Sequence, residues 1–556
     1  MNTTTLTRVL TGDLPAILIM AAILTYPVSV WVLWLYRRAV TRSMSSETPG
    51  GHPVTASPLP DVDTAASTIS SRSSRVPATV SQSEILRLLR SRPWRTAALY
   101  TVAGTAYGFV LALTMAYLAE PGAPFRPVRL LLLTTLFAWP VVLTTAIVAA
   151  AVRTQRVAIA AAYAVGYLTL GMIAAGRNPD VTAWQALQLW LITNGPMTVI
   201  LWLCLARRIR AVGAVVLMLL LGGLLGADLL VTVISTSDAS IDAVAAVGGW
   251  LGMGGAATFA GTLILGFAVS MALSVAFVHW LRRRYEQKRF SDESLTIRTI
   301  WWIFAFGHAI TLAFEHPLAP LIGVVAMFVF SGVVRLGQWA MARADRGVNL
   351  LLLRSFSIGA ASERLFDALE KGWRRTGSIQ MIAGYDLASR TVELHELLDF
   401  ASGKLARRFI GGRPALERRL REMDVRPDRD GRYRVNDFFC YGDTWRDVLL
   451  ALIRQTDVVL MDLRGFSQKN AGCVFEIQEL VRAVPIERIV FVVDSTTDHA
   501  LLERTFSAAA AQAGKVLAVK PFLFQVPRLD VTTMGTLLQE LAAAAHGRQV
   551  VTAGSQ

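Results

Sequence analysis

Residues 455–480 read QTDVVLMDLRGFSQKNAGCVFEIQEL, and three segments follow one another in that stretch. Residues 457–463 form an almost unbroken apolar run around Val458 and Val459, the pattern of a strand buried on both faces. Residues 464–472 are polar and contain glycine, which marks a loop. From Cys473 to about Val484 the apolar residues return at helical spacing. A buried strand that passes through a polar loop into a helix is the repeating unit of a mainly parallel α/β sheet.

The flanking sequence repeats the unit. A helix from Thr444 to Gln455 leads into the strand, and residues 488–494, RIVFVVD, form the next buried strand. Upstream, residues 348–356, VNLLLLRSF, read as a buried strand ending in a polar loop, followed by a helix over 362–373 that Ser362 can cap. Residues 378–383 give a second strand, 391–422 two basic helical stretches, and 433–441 a third strand. An Ala-rich helix and a last strand at 515–520 complete the series. The order approximates a flavodoxin-like doubly wound sheet, assigned to a domain over 347–548.

The rest of the chain is of another kind. Of 556 residues 53% are hydrophobic and only 17% charged, with a mean hydropathy of +0.46. Soluble domains carry about a quarter charged residues, so an ordinary soluble enzyme is disfavoured and the apolar excess belongs in lipid. A membrane crossing takes ~20 apolar residues. Nine stretches come near this: 14–36, 97–119, 130–152, 157–176, 183–206, 212–235, 243–281, 299–314 and 317–340. The seventh is too long for one straight crossing and is expected to break at its glycine-rich run, 248–255. The eighth is short and is expected to form a hairpin with the ninth through His316 and Pro317. The first reads as a retained anchor (1–42), because Arg37 and Arg38 follow it in place of a cleavage site. The other eight make up a membrane domain over 83–342.

Charge orients these spans. With Met1 outside, outer loops hold four Lys or Arg residues and inner loops twenty, a positive-inside bias. An odd number of spans then puts the C-terminal domain in the cytoplasm, and the location is a plasma (inner) membrane. The net charge of +15 is accounted for mostly by this topology, and with no nucleic-acid motif present no nucleic-acid partner is expected. The bilayer is the expected partner, with homo-oligomerisation through the cytoplasmic domain. Residues 43–82 are rich in Ser, Thr and Pro and read as a disordered linker. Residues 83–92 read either as an amphipathic helix on the inner leaflet or as a plain juxtamembrane helix. Cys204, Cys440 and Cys473 show no pair spacing, which argues against a disulfide framework or a zinc site. Asp228 and His308 lie within spans, where ionisable groups are costly. Transport with a regulatory soluble domain is the weaker alternative they raise; a structural hydrogen bond is the plainer one.

In open α/β sheets ligands bind at the carboxyl ends of the strands. Polar residues collect there in three places: Arg354 and Ser355, Asp462 and Arg464, and Asp494 with Ser495 and Thr496. No glycine-rich dinucleotide fingerprint or phosphate loop accompanies them, which disfavours a Rossmann dehydrogenase or a P-loop nucleotidase. The succession of Trp445, ALIRQTDV at 451–458, a buried strand, a polar loop and CVFEIQEL at 473–480 resembles the Toll/interleukin-1 receptor (TIR) domain family. LRSFS at 353–357 looks like that family's first strand and loop. The chain departs from the pattern in a longer middle region, 390–432, and at Val474 and Phe475.

The resemblance implies a chemistry. Catalytic TIR domains cleave the nicotinamide glycosidic bond of NAD with the glutamate of this motif, here Glu476. NAD is then a substrate, and no cofactor is implied. Arg354, Ser355 and Phe356 would line the pocket, Trp445 would support its wall, and Arg464, beside Asp462, would meet a phosphate. A glutamate in the first turn of a helix also stabilises the helix dipole by ~0.3–1 kcal/mol. Asp462 and Arg464 equally read as a loop ion pair, Trp445 and Cys473 as packing residues, and the arginines at 407, 408, 413, 418, 419 and 421 as a solvated or headgroup-facing surface. A non-catalytic signalling or scaffold module that binds a partner is therefore the alternative function.

Overall fold

The computed structural model describes residues 13–45, 82–119, 126–150, 153–177, 182–204, 209–313, 320–341, 347–354, 360–383, 400, 409–440, 444–468, 470–514, 521–526 and 530–546. Two compact units divide the chain: Met1–Tyr36, Pro93–Met341 and Val392–Ser402 form one, and Arg37–Arg92, Ala342–Thr391 and Gly403–Gln556 the other.

The first unit is helical. It holds α1 (Leu14–Ser45) as far as Tyr36, α2 (Gln82–Ala119) from Pro93, α3 (Pro127–Phe137), α4 (Pro140–Val148), α5 (Arg153–Arg177), α6 (Ala183–Cys204), α7 (Arg210–Ile234), α8 (Asp238–Trp250), α9 (Gly255–Glu286), α10 (Asp292–Ala313) and α11 (Pro320–Met341). Among the described residues, seven helices are long and apolar enough to cross a membrane, and eight if the bent pair α3 and α4 is one span. The sequence reading of nine differs at two places. Pro140 has no N–H to give the Leu136 carbonyl, so the stretch around 130–152 breaks into α3 and α4 at an angle of 49°. Helix α6 has the length of a span, 22 residues, but Gln185, Gln188 and Asn194 dilute its apolar character.

Other boundaries shift in the same way. The long seventh stretch does break where its glycines predict: α8 ends at Trp250, Gly252 adopts φ +69°, and α9 starts at Gly255. The eighth is not short, because α10 opens seven residues earlier with Asp292 and Glu293 in its first turn, where acidic groups suit the helix dipole. Residues 83–92 are the first turns of α2, which runs on through Pro93, and not a separate helix. The hairpin at His316 and Pro317 and most of the 43–82 linker lie outside the described residues.

The core of this unit is aromatic. Tyr107 meets Trp301 at 5.3 Å, and Trp301 meets Phe330 at 4.4 Å. Helices α7 and α9 approach so closely that a Cβ on Gly266 would lie 2.8 Å from the Ala227 Cα, the small-residue packing that membrane helices use. Asp228 sits half-buried beside this crossing.

The second unit is built on seven parallel strands: β1 (Leu350–Arg354), β2 (Ile379–Ala383), β3 (Phe409–Ile410), β4 (Val435–Cys440), β5 (Val458–Asp462), β6 (Ile489–Val493) and β7 (Phe522–Gln525). Their order across the sheet is β3-β4-β2-β1-β5-β6-β7. Without the β3–β4 extension, five strands remain in the order second, first, third, fourth, fifth, which is the flavodoxin-like arrangement. Strands β1, β5 and β6 fall within the expected runs. The expected strand at 515–520 lies outside the described residues, and β7 is the last strand described.

Helices α12 (Ala360–Trp373), α13 (Arg413–Arg421), α14 (Trp445–Ile453), α15 (Ala471–Ala483), α16 (His499–Gln512) and α17 (Val531–Ala545) connect or follow the strands. On one face Leu351, Val459, Met461 and Phe491 pack with Leu449, Leu452, Ile477 and Leu480 from α14 and α15. Burying such side chains is worth ~1.5–3 kcal/mol each. Helix α12 begins at Ala360, so Ser362 lies inside its first turn and is not its cap. Asp498 and Asp530 cap α16 and α17, accepting from Leu501 N at 2.9 Å and Thr533 N at 2.7 Å.

Candidate functional site

The order of winding reverses between β1 and β5: β1 leads to β2 on one side, and β5 leads to β6 on the other. This is the switch point at which doubly wound sheets bind ligands. Arg354 and Asp462 end the two strands as register partners. Helix α15, entered from β5 through the loop 463–470, brings Glu476 to the same end.

Glu476 is 2% exposed, and its Oε2 has no hydrogen-bond partner. Its surroundings are Leu352, Leu353 and Arg354 of β1, Phe366 of α12, and Met381 and Ile382 of β2, which with Glu476 line a cavity of about 10 Å³. That holds about one water and no nicotinamide ring. Burial pushes the carboxyl up to about 8, so at pH 7 most of it is protonated. The first-turn dipole reading of Glu476 does not hold, because its helix begins at Ala471 and has no acidic residue in its first turn. A carboxylic acid kept neutral in an apolar pocket is an arrangement used for proton transfer.

The other expected residues divide. Arg354 lines the cavity with its guanidinium 5.7 Å from the Phe366 ring centroid. Ser355 and Phe356 lie outside the described residues. Asp462 is fully buried and holds Arg464 bidentately, with Arg464 Nε at 2.8 Å and Nη2 at 2.7 Å, and it also accepts the Arg464 backbone N–H at 3.2 Å. Those donors fix the loop between β5 and α15 and face a carboxylate already. Trp445 is half-buried edge-on against Phe475, with centroids 5.5 Å apart, and is not among the cavity's lining residues. It props the helix that carries Glu476. Cys473 is buried, its Sγ 3.9 Å from the Arg354 carbonyl oxygen, which is a packing position. Asp494 at the end of β6 accepts from Thr496 N at 2.9 Å and Thr496 Oγ1 at 2.6 Å, closing its own turn.

Sequence reasoning missed Phe366, Met381 and Ile382, whose apolar character gave no signal beyond core. It also missed a second buried charge cluster, in which Arg434, just before β4, binds Asp428 at 2.7 Å and Asp424 at 3.5 Å. Burial pushes Asp428 up to about 7 although Arg434 pulls it down. No group of three His, Cys, Asp or Glu able to hold a metal occurs among the described residues.

In the helical unit His308 is completely buried. Its Nε2 faces Asn194 Oδ1 at 3.2 Å and its Nδ1 faces the Tyr107 hydroxyl at 3.0 Å. Since the Asn194 oxygen only accepts, Nε2 carries the proton and Tyr107 donates to Nδ1. Asn194 Nδ2 in turn donates to the Leu136 carbonyl at 3.0 Å, the group that Pro140 leaves without its helical partner. These bonds give His308 a structural place between neighbouring helices.

No protein-family model, curated protein or solved structure matches the chain. The TIR resemblance therefore rests on the residues quoted above.

Proposed function

We propose that the chain is a multi-pass membrane protein whose α/β domain lies in the cytoplasm and cleaves NAD at its nicotinamide glycosidic bond. The observation that carries this reading is the buried Glu476 carboxyl, with Oε2 unpartnered, in a cavity at the carboxyl ends of β1 and β2. An unsatisfied buried polar atom calls for an explanation, and an absent ligand supplies one. In the reaction nicotinamide leaves with the electron pair of the bond, the ribose centre becomes oxocarbenium-like, and water adds there and loses a proton. The products are ADP-ribose, nicotinamide and one proton.

Glu476 serves this step as an anion beside the developing cation. The pyridinium charge of bound NAD favours that anion, so binding displaces the proton that burial holds on the free carboxyl. The substrate-bound site is wider than the 10 Å³ cavity, and association of protomers through the domain is the event assigned to opening it. The positive-inside bias supports the cytoplasmic side.

The small cavity favours a second reading, a domain that binds a partner and turns nothing over. Incubating the full-length protein in lipid nanodiscs with NAD separates the two. The catalytic reading expects nicotinamide and ADP-ribose in equal amounts from the wild type and neither from Glu476→Gln. Retention of activity by Glu476→Gln contradicts the role given to the carboxyl.

A further inference from the structure

The dinucleotide of the proposed reaction carries a pyrophosphate, and the arginine expected from the sequence to meet it is engaged elsewhere: Arg464 presents Nε and Nη2 to Asp462. A second guanidinium lies at the same end of the sheet. Helix α14 begins beyond the carboxyl end of β4 and packs on β4, β2 and α15. Strand β2 lines the Glu476 cavity through Met381 and Ile382, and α15 carries Glu476 itself. The first turn of α14 holds Trp445, Arg446 and Asp447.

Arg446 is exposed, yet its guanidinium has a fixed place. It lies 5.6 Å from the Trp445 ring centroid and 5.0 Å from that of Phe475, and those two rings meet edge-on. Cation–π attraction of this kind orients a guanidinium without giving its N–H groups an acceptor. Among the described residues no carboxylate forms an ion pair with Arg446, its exposed neighbour Asp447 included. Phe475 directly precedes Glu476, so α15 presents both the ring that holds the cation and the carboxyl of the site. Oriented and without an anion of its own, the guanidinium fork matches the paired oxygens of a phosphate.

We propose that Arg446, held by Trp445 and Phe475, binds the pyrophosphate of the dinucleotide; the assignment rests on the NAD-cleaving reading of Glu476. Arg446 is then a specificity-determining residue, which favours a nucleotide bearing a pyrophosphate over a bare nicotinamide riboside.

The test titrates ADP-ribose, which keeps the pyrophosphate and has no nicotinamide bond left to cleave, into the full-length protein in phosphatidylcholine nanodiscs by calorimetry. Arg446→Gln is expected to raise Kd about tenfold, equivalent to about 1.4 kcal/mol. Arg446→Lys is expected to recover part of the loss, since an ammonium keeps the charge without the fork. In turnover, Arg446→Gln is expected to lower the kcat/KM preference for NAD over nicotinamide riboside by the same factor. Equal Kd for the wild type and Arg446→Gln, or no binding of ADP-ribose by the wild type, overturns the proposal. So does an equal fall in kcat/KM for both substrates, which would mean that the change disturbs α15 rather than a pyrophosphate contact. The two readings fail separately. ADP-ribose binding weakened by Arg446→Gln in a protein that releases no nicotinamide contradicts the cleavage and leaves the pyrophosphate contact standing; nicotinamide release without ADP-ribose binding does the reverse.

Discussion

His308 in the helical unit and Glu476 in the α/β unit are both ionisable side chains shut away from solvent. Their surroundings differ in one respect. Both His308 ring nitrogens have partners, and the chain of bonds through Asn194 ends on a carbonyl released by a proline. Glu476 Oε2 has none and borders a cavity. A polar group that the fold satisfies explains itself by holding helices together; one that the fold leaves unsatisfied costs ~1–3 kcal/mol and points to something outside the fold. Burial alone therefore does not mark a site. The state of the hydrogen-bond partners does.

The widest separation is expected in turnover. Glu476→Gln should lower nicotinamide release by about 10²–10³-fold or more, while His308→Gln should leave the rate per folded molecule unchanged. A loss of activity in His308→Gln with thermal stability intact would erase the contrast. Next comes the stability of paired charges: Arg464→Met strands Asp462 in the core and should cost ~3–5 kcal/mol, measured as lost amide protection in β5 and α15. His308→Leu leaves Asn194 Oδ1 and the Tyr107 hydroxyl without partners and should cost ~1–2 kcal/mol, read as a lower melting temperature in detergent.

The pH dependence sharpens the same contrast. Glu476 is raised in the native state, so between its ordinary value of 4.5 and about 8 the unfolded chain ionises while the folded chain keeps its proton. The unfolded state then binds fewer protons, and stability falls as pH rises through that window, by an amount of order a few kcal/mol. Glu476→Gln removes the term, so its thermal stability relative to wild type should be greater at pH 9 than at pH 5. An unchanged difference would mean that the carboxyl is not held neutral. The smallest effect belongs to Trp445→Phe, which weakens the edge-on contact to Phe475 and should cost ~0.5–1.5 kcal/mol.

Strands β1, β2, β4, β5 and β6 were legible as short runs, as in VVLMD at 458–462, whereas the two-residue β3 lies in a stretch read as basic helices and β7 lies beyond the run read as the last strand. The glycine break after Trp250 was legible for a related reason, since few residues other than glycine adopt φ +69°. Helix starts were not, because α10 and α12 begin with polar or small residues that resemble loop. The Pro140 break was concealed by an apolar composition that suits one span or two half-helices equally. Of the site, Arg354 could be placed at a strand end from the sequence pattern, and Glu476 was singled out only by the TIR resemblance. What could not be read is who partners whom: the pairing of Arg464 with Asp462, its neighbour but one, and the apolar wall of Phe366, Met381 and Ile382 both depend on three-dimensional packing.

Initial rates of nicotinamide release by the wild type, Glu476→Gln and His308→Gln, reconstituted in identical nanodiscs and assayed at pH 7 and pH 9 with subsaturating NAD, test the central claim most directly. The account predicts release by the wild type and His308→Gln, faster at pH 9 as the free carboxyl ionises, and none by Glu476→Gln. Release by Glu476→Gln at the wild-type rate, or no release by any of the three folded proteins, would contradict it.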